Sequence, residues 1–505
     1  MGEVLLGIDI GTSACKAAAF TTDGKVLAQA TENYKVYYPQ PGWAEQDPEE
    51  WWRAVCRAIR AVLEKGVCAR DVQGVGVDGQ SWSAIAVDRE GNVLCRTPIW
   101  FDTRAVPQCE QMKVLCGGEK LFSVSGNPLQ PMYTMPKVLW YKQNMPEVYA
   151  KADQILQSNS FIAYRLTGVC SQEHSQGYGW SCYDVAAKTW DAELCAELGV
   201  RPELLPLLVQ SHNVIGGITV RAARETGLAV GTPVVAGGLD AACGTLGAGV
   251  TGPGQTQEQG GQAGGMSICI GAPRAEKRLI LSPHVVPQMW LLQGGTVGGG
   301  GAVNWFLQEF GAAEHMVAEQ SGTNPFQEMD RGAADIPAGS EGLVFLPYLA
   351  GERSPLWNAK AKGVFYGIDF SKTRAHFARA VMEGVACSLR HNLEVAEAAG
   401  AHTKTLRAMG GAANSSLWMQ IKADITGKRI EVPSSDTATA LGAAILAGVG
   451  TNIYADFDEA VRRTVHIRCA YEPCETNLAV YSSTYQIYRE LYENLKSLMN
   501  RKTII

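Results

Sequence analysis

The sequence predicts an α/β protein of two domains with a cleft between them, and three observations predict it. The chain has 505 residues, more than one hydrophobic core normally serves. It holds two successions of strands and glycine turns, one from Leu5 and one from near "TPVVAGGLDAACG", each opening on a strand–glycine–strand unit. Helical patterns alternate with the strands in both halves, which gives layered α/β packing and a ligand cleft where the halves meet. The boundary is expected near Gly249–Gly254.

Each element has its own signal. "LLGIDIGTSACKAAAFTTDGKVL" reads as strand, tight turn, strand, an Asp23-Gly24 hairpin turn and a third strand through Val26 and Leu27. In "GWAEQDPEEWW" Asp47 is placed to cap a helix with Pro48 at its first position, and the helix runs through Val55, Ile59 and Val62. Strands follow in "VQGVGVDGQ", "SAIAVD" and "VLCRTPIWFD", then helices over Lys137–Ala150 and Asn159–Leu166. The second half runs through strands in "MSICIG", "MWLLQGG" and "GLVFLPYLAGERSP" to helices over Thr373–Ala399 and Ser415–Thr426. Tyr485, Tyr488, Tyr492, Leu495 and Met499, at 3-4-3-4 spacing, make the last segment an amphipathic helix. It is expected to pack on the chain's own body, with a homodimer seam as the alternative. The expected division is 1–249, 250–460 and a terminal helical segment, 461–505.

Composition excludes several classes. A formal charge of −6 without a basic cluster leaves no footprint for nucleic acid. Met1-Gly2-Glu3 leads straight into a strand, without the basic and apolar regions of a secretion signal. The longest small-apolar run, Ala438–Gly450, is too short and too glycine-rich to span a bilayer. A soluble, cytoplasmic protein with no membrane partner is expected. None of the fourteen cysteines forms C-x-x-C and the eight histidines form no H-x-x-x-H. They read as reduced core residues, and no structural zinc is expected.

Three stretches carry chemistry. Alternation puts Leu6, Ile8 and Ile10 on one strand face and Leu5, Gly7 and Asp9 on the other, so Asp9 is a carboxylate inside an apolar strand, costly unless paired. Gly11-Thr12-Ser13 follows, with Lys16 beyond, and such a turn makes an anion nest. Either Asp9 faces Mg²⁺ on a nucleotide, or it bonds to backbone N–H groups of a hairpin turn. In "GGLDAACG", Asp240 is either an N-cap for a helix from Ala241 or a general base at the mouth of a cleft. Gly410-Gly411-Ala412 precedes a helix start near Ser415 and lets a flat ligand or a phosphate tail lie against backbone. The tract Gly294–Gly301 reads as a flexible loop capping a helix from Val303. No G-x-x-x-x-G-K-[ST] exists, which excludes a Walker-type fold.

Together these stretches resemble the FGGY carbohydrate kinase family, in the actin/Hsp70-like ATPase superfamily, over nearly the whole length. "DIGTSACK" resembles the family's first phosphate motif and "GWAEQDPEEWW" a loop of its xylulose and gluconate kinases. "MYTMPKVLWYKQN" and "GVFYGIDFSKTRAHFARAVME" resemble its two signatures, with Tyr141 an unusual occupant of the first. "GGLDAACG" resembles the segment with the catalytic aspartate, and "GGAANSSLWMQIKAD" the adenosine-side motif.

The resemblance implies two actin-like (ribonuclease H-like) domains, the first catalytic and sugar-binding and the second nucleotide-binding, with ATP and sugar meeting in the interdomain cleft. Asp240 matches the catalytic base. Asp9, Gly11 and Thr12 match the phosphate and Mg²⁺ side, Asp9 as the metal-side acid, and Ser13 and Lys16 lie in the same motif. Gly410, Gly411 and Asn414 match the nucleotide side. Gln80, Ser81 and Trp82, with Asp102 and Arg104 of the W-x-D-x-R stretch, match sugar contacts.

Two departures stand out. Ser81-Trp82 occupies the place of the Met-His usual in xylulose kinases, which removes an imidazole from the sugar site. The second phosphate loop, usually Gly-Thr-Ser, reads Gly264-Gly265-Met266, without a hydroxyl. The implied activity is an ATP-dependent, magnesium-requiring kinase for a terminal hydroxyl of a small ketose, xylulose-type first. The alternatives are a gluconate or polyol kinase, or a non-catalytic sugar- or nucleotide-binding protein on the same fold.

Overall fold

A computed structural model gives the protein's structure, described here over residues 2–501. The chain forms two compact units. The first comprises Met1–Pro253, Cys269–Leu291 and Thr437–His466, and the second Gly254–Ile268, Leu292–Asp436 and Ile467–Ile505. The main segment of the first unit ends near the expected boundary. Residues 269–291 and 437–460, assigned by order along the chain to the second domain, and 461–466, assigned to the terminal segment, belong in space to the first.

The first unit is built on one sheet. Strands Val4–Ile10, Ala14–Thr21 and Val26–Asn33 run antiparallel, as their turn residues predict. On the other side of Val4–Ile10, strand Val72–Gly79 runs parallel, and Pro233–Val235 and Gly238–Leu239 pair with it. "TPVVAGGLDAACG" therefore closes the first sheet and does not open the second.

Leu6, Ile8 and Ile10 form one core with Trp51, Val55 and Ile59 of helix Pro48–Glu64. That helix begins as expected, with Asp47 accepting from the Glu49 N–H at 2.9 Å. The opposite sheet face carries Gly7 beside Gly76, and a Cβ at either would run into the carbonyl of Ala440 or Ala443. Helix Ala438–Gly450 lies there, backbone against backbone. Its alanines and glycines are small because the sheet leaves no room for more.

In the second unit, strand Gln255–Gly260 is antiparallel to Gly264–Ile270 and parallel to Thr405–Met409, which continues to Arg429–Pro433 and antiparallel Ile467–Tyr471. Helices Arg374–Ala398 and Ser416–Thr426 match expectation within a residue or two. The terminal helix Glu475–Met499 packs within this unit: Tyr481 donates to Glu383 at 2.9 Å and pairs with Arg379, and the hydroxyls of Tyr488 and Tyr348 meet at 2.6 Å. The helix expected over Lys137–Ala150 is broken at Pro146, where a proline opens a second short helix. Among the described residues, no helix is long and apolar enough to cross a membrane.

Candidate active site

The sheet of the first unit brings three acids together. Strand register sets Asp9 opposite Lys16 on one side and Asp78 on the other. Gly238 and Leu239 pair beside Asp78 and Gly79, and Asp240 follows at once. Burial pushes the Asp240 carboxyl up to about 7, and the charge of Asp9 adds to the rise. Burial, then Asp9 and Asp240, hold Asp78 well above the usual carboxylate range. Burial also raises Asp9, against the hydrogen bond from Asp78 and the pull of Lys16. Both Asp78 oxygens are buried and accept no hydrogen bond; only a protonated Asp78 has a partner, donating to Asp9. A buried acid left so is costly unless protonated or met by a cation.

Of the two readings of Asp240, the helix cap is not the one its geometry follows. The helix starts at Asp240 itself, with Leu239 in the cap position. Asp240 Oδ1 accepts only from the next amide, Ala241, at 2.6 Å. A true cap reaches two or three residues on.

The turn after Ile10 is braced from beneath. Gly11 N–H closes on Ala14 O at 3.1 Å, while the amides of Thr12 and Ser13 meet no acceptor among the described residues. Trp100 Nε1 donates to Thr12 Oγ1 at 2.9 Å, and Gln46 Nε2 to Thr12 O at 2.7 Å. Tyr34 donates to Gly11 O. Gln80, expected on the sugar, is buried and donates to Gln46 Oε1 at 2.7 Å. It therefore braces the turn.

Trp82 adopts φ 59° and is 8% exposed. Gln157 Oε1 (3.1 Å) and Gln176 Oε1 (3.3 Å) accept from its N–H, and Lys137 Nζ donates to its carbonyl at 2.9 Å. Its ring packs edge-on against Tyr133 at 4.8 Å and Tyr178 at 5.8 Å. A side chain at Gly179 would collide with the indole, so that glycine makes its space. The structure makes Trp82 a core aromatic. Ser81 beside it is half-buried.

Asp102 and Arg104 are likewise occupied. Asp102 accepts from Arg104 Nε and Nη2 at 2.8–3.0 Å and from the Ala44 N–H at 2.6 Å. Arg104 Nη2 also reaches Glu45 at 2.8 Å, and the guanidinium lies 3.8 Å over the Trp43 ring. This pair, expected on the sugar, ties two loops together, and its charges are spent within the protein.

In the second unit Gly411 and Asn414 line a cavity of about 510 Å³. Gly410 precedes them at φ 85°, where a Cβ would crowd the carbonyl of Gly260 at 2.9 Å. Val303, Phe326, Met329 and Trp418 give the cavity apolar walls. Asn304, Gln327 and Asp330 add polar groups, one Asp330 oxygen being buried without a partner.

Gly264 and Gly265 sit in a hairpin paired with Gly260 and Gln259. Gly300 N–H donates to Gly261 O at 2.8 Å and Gly301 N–H to Gln262 O at 2.9 Å. The glycine tract is thus packed backbone to backbone and is not the flexible loop expected. Met266, expected at the place of a hydroxyl in the second phosphate loop, is 3% exposed and counts among the core residues.

Sequence reasoning missed Asp78, Trp100 and Glu173. Asp78 carried the same signal as Asp9, a lone acid near the end of an apolar strand.

The segment 4–247 matches the N-terminal domain of the FGGY family of carbohydrate kinases, and 269–451 its C-terminal domain. A xylulose kinase of Bacillus subtilis (strain 168) is 30% identical over 502 residues, covering 98% of each chain. A gluconokinase of the same organism is 28% identical over 499 residues, covering 98% of this chain and 97% of its own. The crystal structure of xylulose kinase from Rhodospirillum rubrum superposes with TM-score 0.90 at 28% identity, over 99% of this chain and 100% of its own.

Proposed function

Since the chain belongs to the FGGY family of carbohydrate kinases, we propose that it transfers the γ-phosphate of ATP to a terminal hydroxyl of a small ketose of the xylulose type. The carrying observation is Asp240, half-buried beside two other acids and pushed up to about 7. A base of that strength is matched to neutral pH. It takes the hydroxyl proton as the sugar oxygen attacks phosphorus, and the ADP oxygen leaves on the opposite side. The free amides of Thr12 and Ser13 suit a phosphate oxygen. The cavity at Gly411 and Asn414 suits the nucleoside, with apolar walls for a base and polar groups for a ribose.

The acids fit a magnesium ion. Carboxylate oxygens are the hard ligands it takes, and a cation would satisfy the two orphaned Asp78 oxygens. Among the described residues no three His, Cys, Asp or Glu side chains form a cage of their own. Asp9 and Asp78 would therefore hold the ion with water and phosphate completing its shell. When bound, it offsets phosphate charge during transfer.

A neutral sugar is favoured over a sugar acid. Lys137, beside the Gln80–Trp82 loop, is bonded to the Trp82 and Ile99 carbonyls and lowered by burial to about 7, and Arg104 is paired with Asp102 and Glu45. Neither is free to meet a substrate carboxylate. The similarity to xylulose kinases points the same way. The fourteen unbridged cysteines support a reducing, cytoplasmic setting.

ADP release measured against ketopentoses, polyols and gluconate tests the reading. The highest kcat/KM is expected with a ketopentose. Preference for gluconate overturns the substrate, and ATP binding with no ADP release from any sugar overturns the enzyme.

A further inference from the structure

A buried turn outside the reacting set touches both halves of the sugar-side machinery. We propose that Glu173, Ser175 and Gln176 form a positioning element that sets Asp240 through Ser175 and the Gln80–Trp82 loop through Gln176. It rests on the reading of Asp240 as the base.

The first arm runs through a hydroxyl. Leu239 N–H donates to Ser175 Oγ at 2.8 Å, and Ser175 Oγ donates its one proton to Glu173 Oε2 at 2.6 Å. The donor polarity is therefore fixed, from Leu239 to Ser175 to the carboxylate. Leu239 is bonded directly to Asp240, so this contact sets where the helix of Asp240 begins. Without the hydroxyl the Leu239 N–H is a buried donor with nothing to receive it.

The second arm is an amide. Gln176 Oε1 accepts from the Trp82 N–H at 3.3 Å. Its Nε2 donates to the carbonyls of Gln80 (3.2 Å) and Gly79 (3.3 Å) and to Asn159 Oδ1 (3.1 Å). These bonds hold the loop in which Trp82 keeps a left-handed backbone, a conformation that persists only where its surroundings impose it.

Glu173 joins the arms. Its carboxylate accepts from the Ser175 N–H at 2.6 Å, the Gln176 N–H at 3.2 Å and Ser211 Oγ at 3.4 Å. All three members are buried, and Ser175 and Gln176 are 0% exposed. Burial raises the Glu173 carboxyl to about 7, so the charged form depends on these donors. A base misplaced by about 1 Å can lose on the order of 10² in rate, which gives such an element leverage without touching substrate.

The test compares Ser175→Ala, Ser175→Thr and Gln176→Leu in the full chain. Each is measured for kcat, for KM of the sugar and of ATP, for melting temperature and for amide exchange at Leu239. Ser175→Ala is expected to lower kcat by roughly tenfold or more at nearly unchanged KM for both substrates, and to speed exchange at Leu239. Ser175→Thr, which keeps the hydroxyl, is expected to restore most of the rate. Gln176→Leu, by releasing the loop that carries the half-buried Ser81, is expected to act on sugar KM rather than ATP KM. Lowered melting temperatures with wild-type kinetic constants in all three variants would overturn the proposal. So would unchanged exchange at Leu239 in Ser175→Ala, a readout that does not depend on turnover. Wild-type turnover in Asp240→Asn would instead remove the base reading itself.

Discussion

Asp78 and Asp102 are both acids of the first unit, both 0% exposed, and their surroundings could hardly differ more. Asp102 accepts from a guanidinium and from the Ala44 and Arg104 backbone amides. Asp78 accepts from no group, and two further acids face it. Where the fold needs a buried charge as a fastener, it supplies partners. Where acids crowd one another with few partners, as Asp78 does with Asp9 and Asp240, their carboxyls are raised and stability is lost in a place where ligand groups can recover it.

The sharpest way to break that contrast is Asp240→Asn. It keeps the shape and removes the proton acceptor, and kcat is expected to fall by about 10²–10⁴. Melting temperature should hold or rise, since one of three repelling acids becomes neutral. Turnover within a few-fold of wild type would return Asp240 to a structural role.

The opposite outcome is expected at the fastener. Arg104→Met leaves the Asp102 carboxylate buried and unpaired, at a cost of about 3–5 kcal/mol. Denaturant titration reads the loss, while sugar preference of the folded fraction should stay as in wild type. A changed preference order would put Arg104 back on the substrate.

Asp78→Asn should act in the reverse direction, because an amide is neutral without the cost of holding a raised carboxyl at that pH. A gain on the order of 1–3 kcal/mol is expected at pH 8 without magnesium. The stabilisation that magnesium gives wild type should shrink in the variant. Equal magnesium effects in both proteins would exclude Asp78 as a ligand.

A smaller, graded effect follows from pH. The folded-state value of Asp240 lies near 7 against an ordinary 3.8, so its contribution is fully present below 3.8 and lost as pH rises through about 7. Magnesium-free protein should therefore melt lower at pH 8 than at pH 5. Activity should move the other way, rising through the same window as the base ionises. Asp9→Asn removes one cause of the raised value, so the acid limb of its pH profile should shift to lower pH. An unshifted limb would mean that Asp9 does not act on Asp240.

Much of this was legible in the residues. The three opening strands, the Asp47 cap and the long helices follow from turn chemistry and periodicity, which are local. Asp9 drew notice because an acid interrupts an apolar strand, and it does face the other acids. The Asp102–Arg104 spacing could not reveal a pair already spent, because Glu45 and Ala44 come from a distant loop. Trp82 was expected on the sugar, and its core packing could not be read locally, since the glycine that seats it, Gly179, lies far along the chain. The small-residue run Ala438–Gly450 showed its helical character but not its address. Alternation tells a helix which face to bury and is silent on which sheet will receive it.

That address bears on how such a chain can be recombined. Helix Ala438–Gly450 fits the first sheet where the alanine carbonyls occupy the space above Gly7 and Gly76. A crossover between relatives placed near residue 250 would seem to exchange one module for another. It would in fact separate this helix from the sheet it evolved with, and any residue larger than glycine at either strand position would leave the hybrid with two backbones contending for one volume. Hybrids that carry the donor's 437–466 together with its first 253 residues keep the inherited fit, so the natural unit of exchange here is discontinuous in the gene.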